Sequence, residues 1–205
     1  MNIHGKTALL LLVPTILGLA TPNAAMAPEQ GDWLFRVGAS YIDPKSDNSD
    51  IVEVDGAAGV TFNISYMLTP NWAIELLAAL PYKHDINLLS GEEVADTKHL
   101  PPTLSLQYHF LPGATVQPYV GVGVNYTNFF SEDTSGALAG SELNLDDSWG
   151  WAADVGVDFP LNDNWFLNLD VRYIDIETKA RLDGASIGTV EIDPLVYGAH
   201  IGFRF

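Results

Sequence analysis

The sequence predicts an all-β protein, an eight-stranded antiparallel transmembrane up-and-down β-barrel of an outer membrane. Three observations support this prediction. Apolar residues alternate with small or polar residues in eight stretches, the connections alternate between long and short, and the charges within the stretches share one face. After residue 27 no stretch shows convincing helical periodicity.

The eight stretches each place large apolar side chains at every second position, as a strand with two unlike faces requires. They cover residues 33–41, 60–68, 72–80, 104–110, 118–126, 149–159, 165–173 and 197–205. About ten residues rise roughly 33 Å along a strand, and a tilt near 40° reduces this to about 25 Å, the height of the apolar band of an outer-membrane barrel.

The connections follow the order expected of a closed meander. Four long ones cover roughly residues 43–59, 83–100, 129–147 and 175–192, and three short ones cover 69–71, 111–115 and 160–164. Because long and short alternate strictly, every long connection falls at one end of the barrel. Outer-membrane barrels have this asymmetry, with short periplasmic turns and long external loops.

Charge and size together predict which face touches lipid. The charged residues within the strands all have the parity opposite to the large apolar set: Arg36, Glu75, Asp154, Asp158, Asp170, Arg172 and Arg204. Parity alone leaves open a soluble, lipocalin-like barrel with the apolar face inside. The charged face also carries most of the strand glycines, which suit the crowded interior of eight strands, while aromatic residues cluster near the strand ends of the other face, as in lipid-boundary girdles.

Composition bounds the class of protein. The chain has 205 residues, a formal charge of -17, no cysteine and 47% apolar residues spread along its length, which together fit one domain. The strong acidity and the lack of a lysine or arginine cluster argue against nucleic acid as a partner. Taken alone, composition also permits a soluble acidic domain.

The two termini carry signals of export and assembly. An apolar run from Ala8 to Ala20 is too short to span a bilayer, and small residues up to Ala27 follow it, so we expect a cleaved signal peptide over residues 1–27 and a barrel domain over 28–205. Pro28 is unfavourable directly after a cleavage site, so the sequence defines the cleavage position only to within a few residues. At the other end we expect Tyr197, Phe203 and Phe205 to form the signal read by the barrel-assembly machinery.

Five ordered motifs give the chain a family resemblance. They lie at residues 76–86 (LLAALPYKHDI), 99–104 (HLPPTL), 117–126 (QPYVGVGVNY), 146–150 (DDSWG) and 192–194 (IDP). In these motifs the chain resembles the outer-membrane protein W (OmpW) family over nearly its whole mature length. The resemblance implies a narrow barrel that admits small apolar molecules from outside, releases them sideways into the membrane and blocks direct transfer to the periplasm.

The resemblance also implies a constriction of the lumen. Leu77 matches a residue that narrows the lumen in the family, and its partner position falls on Arg172, where family members can carry tryptophan. This departure allows two interpretations. Arg172 could pair with Asp170 or Asp154 and make the constriction polar, which would favour amphipathic solutes, or it could merely neutralise those aspartates.

The inward parity predicts how the interior is divided. Ala79, Asp154 and Asp170 are expected to line the lumen, and Phe129, at the exit of strand five, to line its entrance. A further set could pair into a periplasmic floor: Arg36, Glu75, His109, Asp158 and Arg204. The alternative is that these groups are only ion pairs that fill the barrel, and loop packing explains the apolar loop residues equally well.

Three prolines predict a weak place in the wall. Pro81 interrupts the third stretch and Pro101-Pro102 open the fourth, and none of them can donate a ladder hydrogen bond. We therefore expect a lateral opening there on the external side. The alternative is that the prolines only end the strands and blunt edge pairing.

The functional prediction is passive uptake of small hydrophobic or amphipathic molecules, with no cofactor, no metal and no catalysis. The histidines lack a serine or cysteine partner pattern, which disfavours a membrane acyltransferase, and no metalloprotease or phosphate-loop motif is present. The alternative function is a structural or adhesive surface barrel whose acidic loops bind cations or partners without conducting solutes. The expected partners are outer-membrane lipid and the solutes themselves, and the oligomeric state stays open.

Overall fold

The computed structural model describes residues 27–46, 48–49 and 51–205. Apart from Ala27, the expected signal peptide lies outside the described residues. In chain order the strands are β1 (Trp33–Asp43), β2 (Val52–Val54), β3 (Ala57–Met67), β4 (Trp72–Ala79), β5 (Tyr82–Leu88), β6 (Glu93–Leu100), β7 (Thr103–His109), β8 (Gln117–Thr134), β9 (Leu143–Leu145), β10 (Ser148–Pro160), β11 (Trp165–Ile174), β12 (Glu177–Leu182), β13 (Ala185–Glu191) and β14 (Leu195–Arg204). One 3-10 turn covers Gly136–Leu138.

Eight of these strands close into the predicted barrel. The order around it is β1, β3, β4, β7, β8, β10, β11 and β14, and each neighbouring pair is antiparallel. Closure occurs where the last strand meets the first, with Phe203 opposite Phe35. Because every barrel strand has a neighbour on both sides, the paired residues satisfy their backbone hydrogen bonds within the wall, as a bilayer demands.

The large apolar side chains face outward, as their alternation predicts. Val122 is 65% exposed and Leu106 is 42% exposed, whereas the charged Arg36 and Glu75 on the other face are fully buried. Aromatic pairs form a girdle near each end of the apolar band: Trp33–Tyr66, Trp72–Tyr108 and Trp165–Phe203 at the periplasmic end, and Tyr126–Trp149 and Trp151–Tyr173 at the external end. This arrangement matches the interfaces of an outer-membrane barrel.

The long connections contain more strand than the sequence analysis assigned to them. A hairpin of β5 and β6 continues β4 and β7 upward, and β8 runs on past the girdle to pair with β6. A separate three-stranded sheet has the order β13, β12, β9. The residues of β5 explain why it forms: Tyr82, His84 and Ile86 point inward and are buried, while Lys83 between them is exposed.

These additional strands enclose an apolar interior above the membrane. One buried cluster contains Ile42, Ala57, Tyr82, Phe129, Ala152, Ile174, Ile176, Ile192 and Val196. A second, higher cluster contains Ile86, Val94, Ala95 and Leu143. Among the described residues, no helix is both long enough and apolar enough to cross a membrane.

Candidate functional site

The middle of the barrel is filled by a buried network of charged side chains. Glu75 lies at its centre, because one carboxylate oxygen accepts a hydrogen bond from Arg172 at 2.7 Å and the other accepts one from Arg36 at 3.1 Å. The side chains of Arg36 and Glu75 are fully buried and that of Arg172 is 1% exposed. Buried charges are stable only when they are paired and hydrogen-bonded, and Glu75 supplies a partner to both guanidinium groups.

The network continues from Arg36 across the barrel. Its guanidinium also bonds both oxygens of Asp158, at 2.9 and 3.4 Å. Asn168 donates to Asp158 at 2.8 Å and to the Tyr119 hydroxyl at 3.0 Å. These bonds link β11 and β8 to the same group of side chains. We call the set Arg36, Glu75, Asp154, Asp158, Asn168, Asp170, Arg172 and His200 the charged network.

Aromatic rings and glycines complete the packing around the charged network. Arg36 lies over the ring of Tyr119 at 5.4 Å and over the ring of Phe166 at 5.3 Å. A Cβ at Gly156 would stand 2.3 Å from the Tyr119 ring, and one at Gly202 would stand 2.2 Å from the Phe166 ring. Glycine at these positions therefore makes room for the rings.

The structure brings together four of the five residues assigned to the periplasmic floor. Arg36, Glu75 and Asp158 bond directly, and His109 stacks on Tyr119 with ring centroids 5.0 Å apart. Arg204, the fifth residue, does not pair with this group.

Arg204 lies instead at the periplasmic rim. Its guanidinium bonds the Ala27 carbonyl at 2.5 Å and the Asp32 carboxylate at 3.3 Å. The reason is its place at the end of β14, beyond Gly202, which lies opposite Arg36 in the β1–β14 register.

Arg172 forms its shortest ion pair with Glu75, at 2.7 Å, which the sequence analysis did not consider. Asp154, one of the two expected partners, forms a longer ion pair with Arg172 at 3.9 Å, whereas Asp170, the other, faces His200 at 3.2 Å. Gln107 donates to Asp154 at 3.0 Å, so this aspartate has a second partner.

Leu77 and Ala79 mark the upper boundary of the charged network. Leu77 is 5% exposed and follows Glu75 on the same inward face of β4. Ala79 is half-buried and packs against the apolar cluster that contains Phe129. The interior thus changes from charged to apolar within three inward positions of a single strand.

Above this boundary lie two adjacent apolar cavities, which we call the external chamber and the niche. The external chamber has a volume of about 230 Å³ and is lined mainly by aliphatic side chains, among them Val94, Leu138 and Leu143. The niche, of about 20 Å³, lies against His84, His99 and Phe129. Both cavities are bounded by Val52, Ile86, Leu145 and Val190.

The wall beside the niche has a break in its hydrogen bonding. The β4–β7 ladder stops at the pair Leu77 and Thr103, and pairing between the same two walls resumes at Tyr82 and His99. Within the described strands, residues 78–81 and 100–102 have no ladder pair with each other. The predicted lateral opening of Pro81, Pro101 and Pro102 falls in these two segments.

The two sides of the break are held by their other neighbours. The Leu80 amide donates to the Val60 carbonyl at 2.9 Å. On the opposite side the Asn125 amide group donates to the carbonyls of Pro101 and Pro102, both at 3.1 Å. The break is therefore local, and the chains on both sides of it are anchored.

Sequence reasoning missed the histidine pair His84 and His99 because both fall within a segment assigned to a long loop. In the structure their rings stack with centroids 4.8 Å apart and an interplanar angle of 14°. Burial, and then the neighbouring His84, lower the pKa of His99 to about 3, and burial also lowers the pKa of His84. The alternation over residues 82–88 was the available signal, since it has the same period as the barrel strands.

Comparison with known proteins agrees with this architecture. The family model described as "OmpW family" matches residues 29–205. The chain belongs to the OmpW family. Outer membrane protein W of Vibrio cholerae serotype O1 is 41% identical over 215 residues, which cover 93% of this chain and 99% of that protein.

Solved structures of related barrels have the same fold. The crystal structure of the outer membrane protein OprG from Pseudomonas aeruginosa is 35% identical and matches with a TM-score of 0.77 over 86% of this chain and 97% of that one. The solid-state NMR structure of outer membrane protein AlkL in DMPC bilayers is 27% identical, with a TM-score of 0.67 over 92% and 97% of the two chains. This OmpW-family chain is therefore a protein of the cell outer membrane, and its wall sits in lipid.

The described part of the chain offers no ready metal site. Among those residues, no group of three or more histidine, cysteine, aspartate or glutamate side chains is arranged to hold a metal ion. In the charged network the carboxylates of Glu75, Asp158 and Asp154 already accept hydrogen bonds from arginine, asparagine and glutamine, respectively.

Proposed function

We propose that this chain passively conducts small hydrophobic or amphipathic molecules from the outside into the outer membrane, with lateral release through the wall. The observation that carries the proposal is the vertical order of the interior. An apolar chamber lies outside, a break in the wall lies beside the niche next to this chamber, and a buried charged network lies below.

Entry into the chamber is favourable for an apolar solute. The walls are aliphatic, and apolar surface gains roughly 25 cal/mol for each Å² removed from water. The outward faces of the external strands carry the acidic residues, so Asp85 and Asp96 stay partly exposed and do not line the cavity. Without an energy source, the gradient of the solute drives its movement.

Passage straight through the barrel is unfavourable. An apolar solute would have to displace the bonds of Glu75 to Arg36 and Arg172, and separating one partner of a buried ion pair costs about 3–5 kcal/mol. In this proposal Leu77 and Arg172 form the lower limit of the path, and Arg36, Glu75, His109 and Asp158 keep it closed to the periplasm.

Lateral exit is supported by the position of the break. Tyr82 and His99 are the first ladder pair above residues 78–81 and 100–102, and His99 lines the niche. Moving these two segments apart breaks no ladder hydrogen bond between them, since the described strands form none there. Leu80 on the outer side is 53% exposed, which gives an emerging solute an apolar surface to follow into lipid.

The test is dye entry into vesicles with a lipopolysaccharide outer leaflet and a phospholipid inner leaflet. N-phenyl-1-naphthylamine fluoresces once it reaches lipid, and we expect wild-type protein to accelerate the rise in fluorescence. The double variant Pro81→Val with Pro101→Thr restores two ladder donors and should slow entry several-fold. Pro70→Ser, in a periplasmic turn, is the matched control and should behave like wild type.

Two outcomes separate the alternatives. Entry through the double variant at the wild-type rate, with folding confirmed by heat-modifiable gel mobility, contradicts the lateral route. Equal rates with wild-type protein and with protein-free vesicles contradict conduction itself. That second result would favour the structural or adhesive function for the acidic external surface.

A further inference from the structure

Two strand edges without a second partner border the external chamber. Among the described residues, β2 pairs only with β5 and β13 pairs only with β12, so each is the last strand of its sheet. Both strands line the chamber, β2 through Val52 and β13 through Val190. Backbone pairing therefore leaves the wall of the chamber open between β2 and β13, and we call this gap the slit.

Asn48 closes the slit at its lower end. Its side chain is buried and bridges both strand edges: Oδ1 accepts a hydrogen bond from the Val54 amide at 2.9 Å, and Nδ2 donates to the Glu191 carbonyl at 3.0 Å. The Asn48 carbonyl also accepts from the Glu191 amide at 2.9 Å. Above Asn48, the described residues of the two edges share no hydrogen bond, so the slit widens away from the membrane.

The exposed part of the chamber lining lies along the slit. Of the described residues that line the chamber, only Ile51, Ile187, Gly188 and Thr189 are exposed, and the others are buried or half-buried. Ile51 directly precedes β2, and the other three belong to β13. Because a cavity opens where its lining reaches solvent, the mouth of the chamber lies between these two edges.

Packed side chains cover other sides of the chamber. Val94 on β6 and Leu143 on β9 are buried, and Leu138 of the 3-10 turn packs against the cluster that contains them. Entry past these groups would require that they separate, and buried aliphatic side chains lose contacts and gain water when they do. At the slit, a solute from outside meets the chamber lining without displacing them.

Two isoleucines give the mouth an apolar surface. Ile51 is 57% exposed and Ile187 is 46% exposed, one on each side of the slit. Their surroundings are acidic, because Glu53 is exposed two positions after Ile51 and the whole chain carries a formal charge of -17. An exposed apolar patch that leads into a cavity provides contact area for an apolar solute, and the negative field around it disfavours anions.

We propose that solutes enter the external chamber through the slit between β2 and β13, and that Ile51 and Ile187 determine which solutes pass. An apolar or amphipathic molecule leaves water against the two isoleucines before it reaches the aliphatic walls. An anion gains little from this contact and is repelled by the acidic surroundings. This inference rests on the proposed function and assigns its entrance and the residues that select the solute.

The experiment uses the absence of cysteine from the chain. Single cysteines are introduced in Ile51→Cys and Ile187→Cys. The matched control is Ser186→Cys, because Ser186 is exposed at the next position of β13 but does not line the chamber.

Each variant is modified from outside after insertion into vesicles with a lipopolysaccharide outer leaflet. Sodium (2-sulfonatoethyl) methanethiosulfonate attaches a charged group to the thiol, and methyl methanethiosulfonate attaches a small uncharged one. Mass spectrometry measures the extent of modification. The rate of N-phenyl-1-naphthylamine entry is recorded before modification, after it, and after dithiothreitol has removed the attached group.

We expect the charged group on Ile51→Cys or Ile187→Cys to slow dye entry several-fold, and dithiothreitol to restore the rate. The methyl group should leave the rate close to that of the unmodified variant, because it keeps an apolar side chain at the mouth. Ser186→Cys should conduct the dye like wild type with either group attached.

The inference is overturned if the charged group on both isoleucine positions leaves dye entry unchanged after complete modification. It is also overturned if the charged group on Ser186→Cys slows entry as much as it does on Ile187→Cys. In either case the unmodified proteins would still accelerate entry, and the proposed function would stand with another entrance.

The failure of the proposed function gives a different result. If unmodified wild-type protein does not accelerate dye entry over protein-free vesicles, the proposed function and the inference fail together. Folding of each variant is checked by heat-modifiable gel mobility, and the exposure of Ile51 and Ile187 favours folding of both. If one of the two variants does not fold, the other decides the question.

Discussion

Removal of the Glu75 carboxylate should leave two arginines without their shared partner inside the membrane. In Glu75→Met, Arg36 keeps its two bonds to Asp158, but the nearest carboxylate left to Arg172 is that of Asp154 at 3.9 Å. Two charge-assisted hydrogen bonds, of about 1.5–3 kcal/mol each, are lost. Breaking one side of a buried pair costs about 3–5 kcal/mol, so we expect the free energy of unfolding to fall by that amount.

A second substitution separates the loss of a bond from the presence of an unpaired charge. In Glu75→Met with Arg172→Met the orphaned guanidinium is gone, and at least half of the lost stability should return. The assay is equilibrium unfolding in urea from lipid vesicles, followed by tryptophan fluorescence. Asp146→Asn is the control, because it breaks the half-exposed pair with Arg181 and should cost under about 1 kcal/mol.

The reasoning is refuted by either of two results. A loss of under about 1 kcal/mol in Glu75→Met would show that Arg172 finds another partner or water at no cost. A double variant no more stable than the single one would show that the carboxylate contributes through packing instead of through charge.

Three further predictions concern the external interior and the packing of the barrel. Burial lowers the pKa of His99 from an ordinary 6.5 to about 3, so between these pH values the unfolded chain binds a proton that the folded chain does not. The contribution of His99 to the free energy of unfolding is therefore complete above pH 6.5 and falls towards pH 3 by up to about 1.4 kcal/mol per pH unit. Urea unfolding at pH 7, 5 and 4 should show that the free energy of unfolding falls less steeply in His99→Phe than in wild type. An identical fall in the two proteins would contradict this prediction. Phe129→Ala should cost about 3–5 kcal/mol in urea unfolding because Phe129 is 6% exposed in the lower apolar cluster; a loss below about 1 kcal/mol would show that the cluster collapses around the gap. Gly156→Val should cost about 1–3 kcal/mol or prevent folding, as judged by heat-modifiable gel mobility, because its Cβ would meet the Tyr119 ring at 2.3 Å; unchanged stability would mean that the ring moves freely.

Arg172 illustrates the limit of reasoning from strand parity. The sequence places Arg172 on the inward face, and the structure confirms that. The choice of Glu75 over Asp170 as partner depends on a contact between residues 97 positions apart. Parity says which face a side chain occupies, but the height at which two strands meet inside the barrel depends on the stagger of every strand between them.

The external strands illustrate a second limit. Residues 82–88 alternate as clearly as the barrel strands, yet the sequence analysis placed residues 83–100 in a long connection. The structure shows that the acidity of this segment lies on the outer face, with Tyr82, His84 and Ile86 turned inward. A strand and an acidic loop have similar compositions here, and only pairing with β6 and β2 decides between them.

The sequence by itself determined the eight spanning strands, their inward and outward faces and the two kinds of connection. A bilayer imposes these features residue by residue, since each lipid-facing position must be apolar and each spanning strand must reach across the same thickness. The tertiary structure alone decided that Glu75 joins two arginines, that Arg204 stands apart at the rim, and that His84 and His99 meet beside the break in the wall. These are contacts between strands brought together by closure and register, and no local pattern of residues encodes the distance between them.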